Sequence, residues 1–322
     1  MFGKHGSKSH DGFGYPYSVK CTMNLISLFF CLLCSILMLP LATTAQACKT
    51  KPRLSTFEPN PNYAIWQGTD NDDNAIEVHY SLRYTLTHPY CIEDESTQDY
   101  AARWELYFSY AGQFDYYITR DSGPVINRVS NPAIHYRKYY PDTFFEWLDI
   151  SIEHRSNGQV TEIDERDGAQ LKTQIAYHNG DYAYFDGLSR GANYFKLMAL
   201  FDLDNNAKLW TSVKFYSDDD SEVNWGPGVL TKPSIRDYDR VKLTYRKRWG
   251  EEENEKEFTF EWRFGEEGLD TDSYDIAIMV PFELWDLNLP LYLRIHTGPM
   301  NTLSNYTEEL DSIALGLKFT EF

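Results

Sequence analysis

Residues 258–264 read FTFEWRF, and the spacing of that stretch decides the fold. Phe258, Phe260, Trp262 and Phe264 share one parity, while Thr259, Glu261 and Arg263 share the other. Successive side chains of a β-strand point to opposite faces, so this is a strand with one aromatic face and one polar, charged face. The period recurs in RVKLTYRKRW (240–249), where Val241, Leu243 and Tyr245 oppose Lys242, Thr244 and Arg246. It recurs again in AKLWTSVKFY (207–216), where Leu209, Val213 and Phe215 oppose Lys208, Ser212 and Lys214. After Ala47 the sequence offers no long amphipathic helix.

Such alternation fits two all-β architectures. In a soluble sandwich the apolar face is the core; in a transmembrane barrel it faces lipid and the polar face lines the lumen. The barrel is favoured by an export signal, by segments of a membrane-crossing length and by Tyr and Trp near segment ends, where interfacial girdles sit. Aromatic residues make up 16% of the 322 residues, with 24 Tyr, 19 Phe and 8 Trp, and mean hydropathy is negative, which excludes a helical membrane protein. The pattern predicts strands at 62–69, 75–86, 102–117, 132–140, 144–156, 191–202, 207–217, 239–249, 257–264, 274–285, 290–297 and 311–322. Their number is even, as closure with both termini on one side requires. Phe322 falls out of phase with Ile313, Leu315, Leu317 and Phe319, which a bulge near Thr320 would absorb. The soluble sandwich stays open on pattern alone.

The run from Met23 to Ala47, NLISLFFCLLCSILMLPLATTAQA after its methionine, ends in Ala45-Gln46-Ala47, a small-x-small cleavage pattern. We expect residues 1–47 to be an N-terminal extension with a secretory signal, and 48–322 to be the barrel. A start at Met23 is open, although it would lack a basic leading region. Of five cysteines, the mature chain would keep Cys48 and Cys91, a candidate disulfide on the terminal side of the barrel. The formal charge of −18 argues against nucleic acid as a partner. The acidic runs 69–74, 217–222 and 251–257 read as turns and solvated loops.

The strand FFEWLDISIEHRS (144–156) carries the chemistry. Leu148, Ile150, Ile152, His154 and Ser156 share its apolar face. In a barrel that face meets lipid, where an imidazole and a hydroxyl are costly unless they satisfy each other or are used. A hydroxyl becomes a nucleophile when a base takes its proton, and the base works better when a third group fixes its tautomer. In SRGANYFKLMALF (189–201), Asn193 lies on the apolar face with Phe195, Leu197, Ala199 and Phe201. Ser156, His154 and Asn193 therefore form a candidate triad in which an amide orients the base without a buried charge.

At these residues the sequence resembles the outer membrane phospholipases A. HRSNG (154–158) matches the family's H-x-S-N-G, SRGAN (189–193) its S-R-x-x-N, and FKLMA (195–199) lies just beyond. The resemblance extends to NYAIWQGTD (62–70), RDSGPVINRVSNP (120–132) and GLKFTEF (316–322). It implies a twelve-stranded barrel in the outer membrane of a Gram-negative bacterium. It also implies calcium-dependent hydrolysis of phospholipid acyl esters, with activity in a homodimer. Ser156 then matches the nucleophile, His154 the base and Asn193 the orienting residue, with Gly158 beside the oxyanion. The calcium ligands implied are the Gln159 carbonyl, Ser189, and a carbonyl from the partner's loop matched by Ser122. The segment between the motif halves, 159–188, is much longer than the family's and brings extra acidic residues. An inactive barrel serving as a channel or structural protein is the alternative, and acyl transfer to another lipid is a further one.

Overall fold

The computed structural model describes residues 46–47, 53–69, 74–87, 90–93, 100–102, 104–119, 125–140, 143–158, 175–176, 179, 184, 187–203, 206–217, 234–251, 254–285, 287–304 and 306–319. Twelve strands form an antiparallel meander: β1 (Asn62–Thr69), β2 (Ala75–Thr85), β3 (Trp104–Tyr117), β4 (Val125–Tyr139), β5 (Phe145–Ser156), β6 (Gly191–Asp202), β7 (Ala207–Tyr216), β8 (Val241–Trp249), β9 (Lys256–Gly265), β10 (Gly268–Leu284), β11 (Leu287–Thr297) and β12 (Ser312–Phe319). Each pairs with the next, and β12 pairs with β1, Ser312 opposite Thr69 and Phe319 opposite Asn62. The sheet is therefore a closed barrel without free edges, in which ladder hydrogen bonds run all the way round.

The two faces separate as the alternation requires. Ile134, Ile152, Phe195, Ile313 and Leu315 lie on the outside and are exposed, whereas Asp149, Ser151 and Glu153 of β5 point inward and are buried. An exposed aliphatic surface over a charged interior is the reverse of a soluble sandwich and suits a hydrocarbon surround. Inside, the charges are paired. Lys196 Nζ lies 2.5 Å from Glu153, Arg294 2.9 Å from Glu77, and Arg137 2.9 Å from Asp149. Pairing of this kind is what keeps buried ions tolerable.

Chain segments enter the lumen at both ends. Residues 54–56 pair with Leu82–Tyr84 of β2, and the chain then turns inward, burying Phe57 against Tyr107, Trp147, Met198, Leu200 and Trp210. Arg246 fixes this segment through Glu58 at 2.8 Å and the Pro59 carbonyl at 2.9 Å. At the opposite end Met300, Leu303 and Tyr306 pack on Val129, Ala192 and Ile235. A polar cavity of about 210 Å³ lies in the interior, its lining reaching from Phe57 to Met300.

Several strands are longer than their hydrophobic pattern. β4 begins at Val125 rather than 132, and β10 at Gly268 rather than 274. β4 continues through Pro132, which stands opposite Tyr110, and on past an irregular register between Gln113 and Asp115 of β3, where Asn127 has φ 52°. In β10 the pairing of Gly268 with Gly265 extends the hairpin to a tight turn. The short pieces at 46–47, 54–56, 90–93 and 100–102 were not expected; Gln46 pairs with Cys91 and Ala47 with Tyr90. Cys48, most of the 1–47 segment and the predicted irregularity near Thr320 lie outside the described residues.

Candidate active site

β5 and β6 run side by side in a register that places His154 opposite Asn193 and Ser156 opposite Gly191. Both β5 side chains fall on the outer face with Ile152, because they follow it at intervals of two. His154 Nδ1 lies 2.9 Å from Asn193 Oδ1. An amide oxygen only accepts, so the imidazole carries its proton on Nδ1 and presents Nε2 as an acceptor. The main-chain carbonyl of Asn193 accepts from the backbone N–H and the hydroxyl of Ser217, each at 2.9 Å, which fixes the backbone that carries the amide.

Gly191 leaves the space above the nucleophile open. A Cβ built there would lie 3.5 Å from Ser156 Cβ and 3.7 Å from His154 Cε1, so serine and imidazole border the same small volume. On the other flank Ser130 stands opposite Ser156 and donates its hydroxyl to Tyr110 at 3.0 Å.

Beyond the strand end, Asn157 is fully buried and joins the two halves of the site. Its Nδ2 donates to the Leu188 carbonyl at 2.7 Å, and its Oδ1 accepts from the Arg190 N–H at 2.8 Å. Its own N–H donates to the Arg190 carbonyl at 3.0 Å. Ser189, caught between the clamped residues, is half-buried beside the end of β5. Arg190 is buried in turn, its Nε donating to the Ser304 carbonyl at 2.7 Å and its guanidinium lying 5.2 Å from the Tyr306 ring. Gly158 adopts φ 57°, a left-handed conformation that favours glycine, and its carbonyl accepts from Arg128 Nη2 at 3.3 Å.

A second hydroxyl–imidazole–carboxylate row lies inside the barrel. Ser109 Oγ is 2.7 Å from His135 Nε2, and His135 Nδ1 is 2.8 Å from Asp149 Oδ1. The atoms are those of a hydrolytic triad, yet Ser109 is 2% exposed and His135 and Asp149 are 0% exposed. The Tyr107 ring stacks on His135 with centroids 4.4 Å apart, and Phe57 covers it at 5.1 Å. Asp149 also accepts from Tyr107 and Arg137. This row is part of the packed lumen, closed to an ester, whereas the outer row is open.

The residues expected at the site thus divide. His154, Ser156, Asn193 and Gly158 come together at one end of β5 and β6, with Ser189 next to them. Gln159 and Ser122 lie outside the described residues. Sequence reading gave no role to Arg128, Arg190 or Asn157; the last two stand in the matched motifs, and Arg128 lies in the more weakly matched stretch upstream. Among the described residues no group of three or more His, Cys, Asp or Glu is placed to hold a metal. Hydroxyl and carbonyl oxygens are the available donors here, and these suit a hard cation such as calcium.

A closed twelve-stranded meander with a polar interior and an apolar exterior defines the outer membrane type of β-barrel. No family model and no curated protein matches the chain. Solved structures of outer membrane phospholipase A do. The Escherichia coli protein superposes with a TM-score of 0.58 at 14% identity, over 83% of this chain and 98% of that one. A calcium-bound dimer of the Salmonella typhi phospholipase gives 0.55 at 14% identity, over 82% and 92%. An active-site mutant of the E. coli protein, in which alanine replaces an asparagine, gives 0.57 at 14% identity, over 85% and 95%. The chain has the fold of these proteins.

Proposed function

We propose that this protein is a calcium-dependent outer membrane phospholipase that hydrolyses acyl esters of phospholipids from the lipid-facing surface of the barrel. The observation that carries this reading is the contact of His154 Nδ1 with Asn193 Oδ1 at 2.9 Å, on the apolar face that also bears Ser156. Two polar residues directed outward among Ile152 and Phe195 have no purpose in a passive wall. Asparagine as the orienting residue agrees with the E. coli active-site mutant, whose substitution removes an asparagine.

In this reading Asn193 holds the Nδ1–H tautomer, and His154 Nε2 takes the Ser156 proton as Oγ attacks the ester carbonyl. The protonated imidazole then donates to the departing alcohol, and a water activated by the same nitrogen cleaves the acyl-serine. The Gly158 backbone N–H, in the turn after the nucleophile, would donate to the negative oxygen. Ser189, with the expected Gln159 carbonyl and Ser122 of the partner subunit's loop, would hold calcium; when bound, the ion supplies positive charge to the oxyanion. A dimer and an exported mature chain starting near Cys48 belong to the same proposal. The channel alternative is disfavoured, because apolar clusters around Phe57 and around Leu303 fill both ends of the lumen.

The test is fatty-acid release from phospholipid in detergent micelles, with calcium or with chelator, for the wild type and Ser156→Ala. Calcium-dependent release that is lost in the variant supports the reading. Absence of release from folded wild type refutes the hydrolase; release that persists in chelator refutes the metal.

A further inference from the structure

Arg128 stands on the exposed outer side of β4, two residues before Ser130, which faces Ser156 across the ladder. Its Nη2 reaches the Gly158 carbonyl at 3.3 Å, so the guanidinium lies alongside the turn that follows the nucleophile. That contact occupies one of five N–H donors, and no carboxylate among the described residues pairs with the charge. Four other described arginines around this end are engaged elsewhere. Arg155 and Arg263 face the buried Asp239, Arg240 pairs with Glu266, and Arg190 is covered by Ser304 and Tyr306.

The triad supplies an amide, an imidazole and a hydroxyl, and no permanent cation to receive an anion. A glycerophospholipid carries a phosphodiester a few bonds from its scissile carbonyl. Gly158 follows Ser156 by two residues, beyond the strand end, so the two lie at most about 7 Å apart along the chain, a span of the order that separates those two groups. A planar guanidinium offers paired donors that match two phosphate oxygens.

We infer that Arg128 is the phosphate-recognition residue of this site, receiving the lipid phosphodiester while Ser156 addresses the acyl ester. This deepens the hydrolase reading and rests on it for the role of Ser156. Its consequence is selectivity for phospholipids over neutral acylglycerols.

The experiment uses the full folded barrel in detergent micelles and two non-hydrolysable probes, a dialkyl-ether phosphatidylglycerol and the corresponding dialkyl-ether glycerol without phosphate. Binding is measured by calorimetry for the wild type, Arg128→Gln and Arg128→Lys. The wild type should prefer the phosphate-bearing probe, and Arg128→Gln should lose about tenfold of that preference, as expected for one charge-assisted contact. Arg128→Lys should retain part of it, as a point charge without the fork. Equal preference in wild type and Arg128→Gln would overturn the proposal. So would displacement of the ether phospholipid by inorganic phosphate at matched ionic strength, which would mark a site for free anions. Because the probes have no ester, these outcomes stand whether or not the chain hydrolyses lipid. In parallel, the ratio of kcat/KM for phospholipid to that for a neutral diacylglycerol should fall in Arg128→Gln. An equal loss on both substrates would reduce Arg128 to a support for Gly158.

Discussion

His154 and Asn193 face each other across the β5–β6 ladder, Nδ1 to Oδ1 at 2.9 Å, on the side of the sheet that carries Ile152 and Phe195. The pair lies outside the barrel, so the imidazole is oriented without help from the lumenal charges. Replacing Asn193 by Ala removes the acceptor that selects the tautomer. We predict a fall in kcat of roughly tenfold to a hundredfold with KM little changed, smaller than the roughly 10²- to 10⁴-fold loss when the base itself is removed. Initial rates on micellar phospholipid for Asn193→Ala and His154→Ala check this; equal and complete losses would make Asn193 structural.

The inner Ser109–His135–Asp149 row gives a sharp contrast. Its hydrogen bonds are as short as those of any catalytic set, but the row is sealed under Tyr107 and Phe57. A fluorophosphonate probe should therefore label wild type and Ser109→Ala equally and fail to label Ser156→Ala. Peptide mapping of the adduct decides it. Label on Ser109 would show that the lumen opens to solution.

Much of this arrangement was legible in the sequence, and the limits are physical. Where β-strands cross the apolar band, alternation marks them, and β1, β6 and β7 were read to within a residue. Where strands rise past that band, the pattern vanishes. Gly268–Asp272 of β10 carries acidic residues, and Leu269 is 67% exposed, so nothing separates it from a loop by hydropathy. The outward placement of Ser156, His154 and Asn193 follows from parity alone. By contrast, the Asn157 clamp depends on how the chain returns after a long connection, which local periodicity does not encode. Arg128 reaches Gly158 because the β4–β5 register that sets Ser130 opposite Ser156 continues beyond the strand end, and no spacing within either segment reports that register.

Asn157 makes a separate prediction. Its side chain bridges Leu188 and Arg190 and so sets the height of Ser189 above the end of β5. In Asn157→Ala, Ser189 is released while the triad residues keep their strand positions. If Ser189 binds calcium, the half-saturating calcium concentration should rise about tenfold or more, as for other outer-sphere supports of metal ligands. High calcium should restore most of kcat. A calcium titration of the rate distinguishes this from general damage, which excess calcium would not repair.

Asp239 links the lumen to the site. It is fully buried and faces three cations: Lys214 Nζ at 2.5 Å, Arg155 Nη1 at 3.2 Å and Arg263 Nε at 3.7 Å. Arg155 is the residue between His154 and Ser156, so its inward ion pair anchors the strand whose next and previous side chains point outward. Asp239→Asn would leave Lys214 and Arg155, both half-buried, facing a neutral amide, while Arg263 keeps Glu261 at 2.7 Å. Removing one partner of a buried charge cluster costs about 3 kcal/mol or more, because the remaining charges stay desolvated. We therefore expect a lower urea midpoint for the refolded barrel in detergent and a lower temperature for loss of the fast-migrating folded band on unheated gels. Activity per folded molecule should fall as well, since Arg155 would no longer hold the end of β5 in place. The double variant Asp239→Asn with Lys214→Met removes one cation together with the anion, and should recover part of the stability. If the single variant unfolds at the wild-type midpoint, the cluster is not what anchors this end of the barrel, and the inward pull on Arg155 must come from the ladder alone.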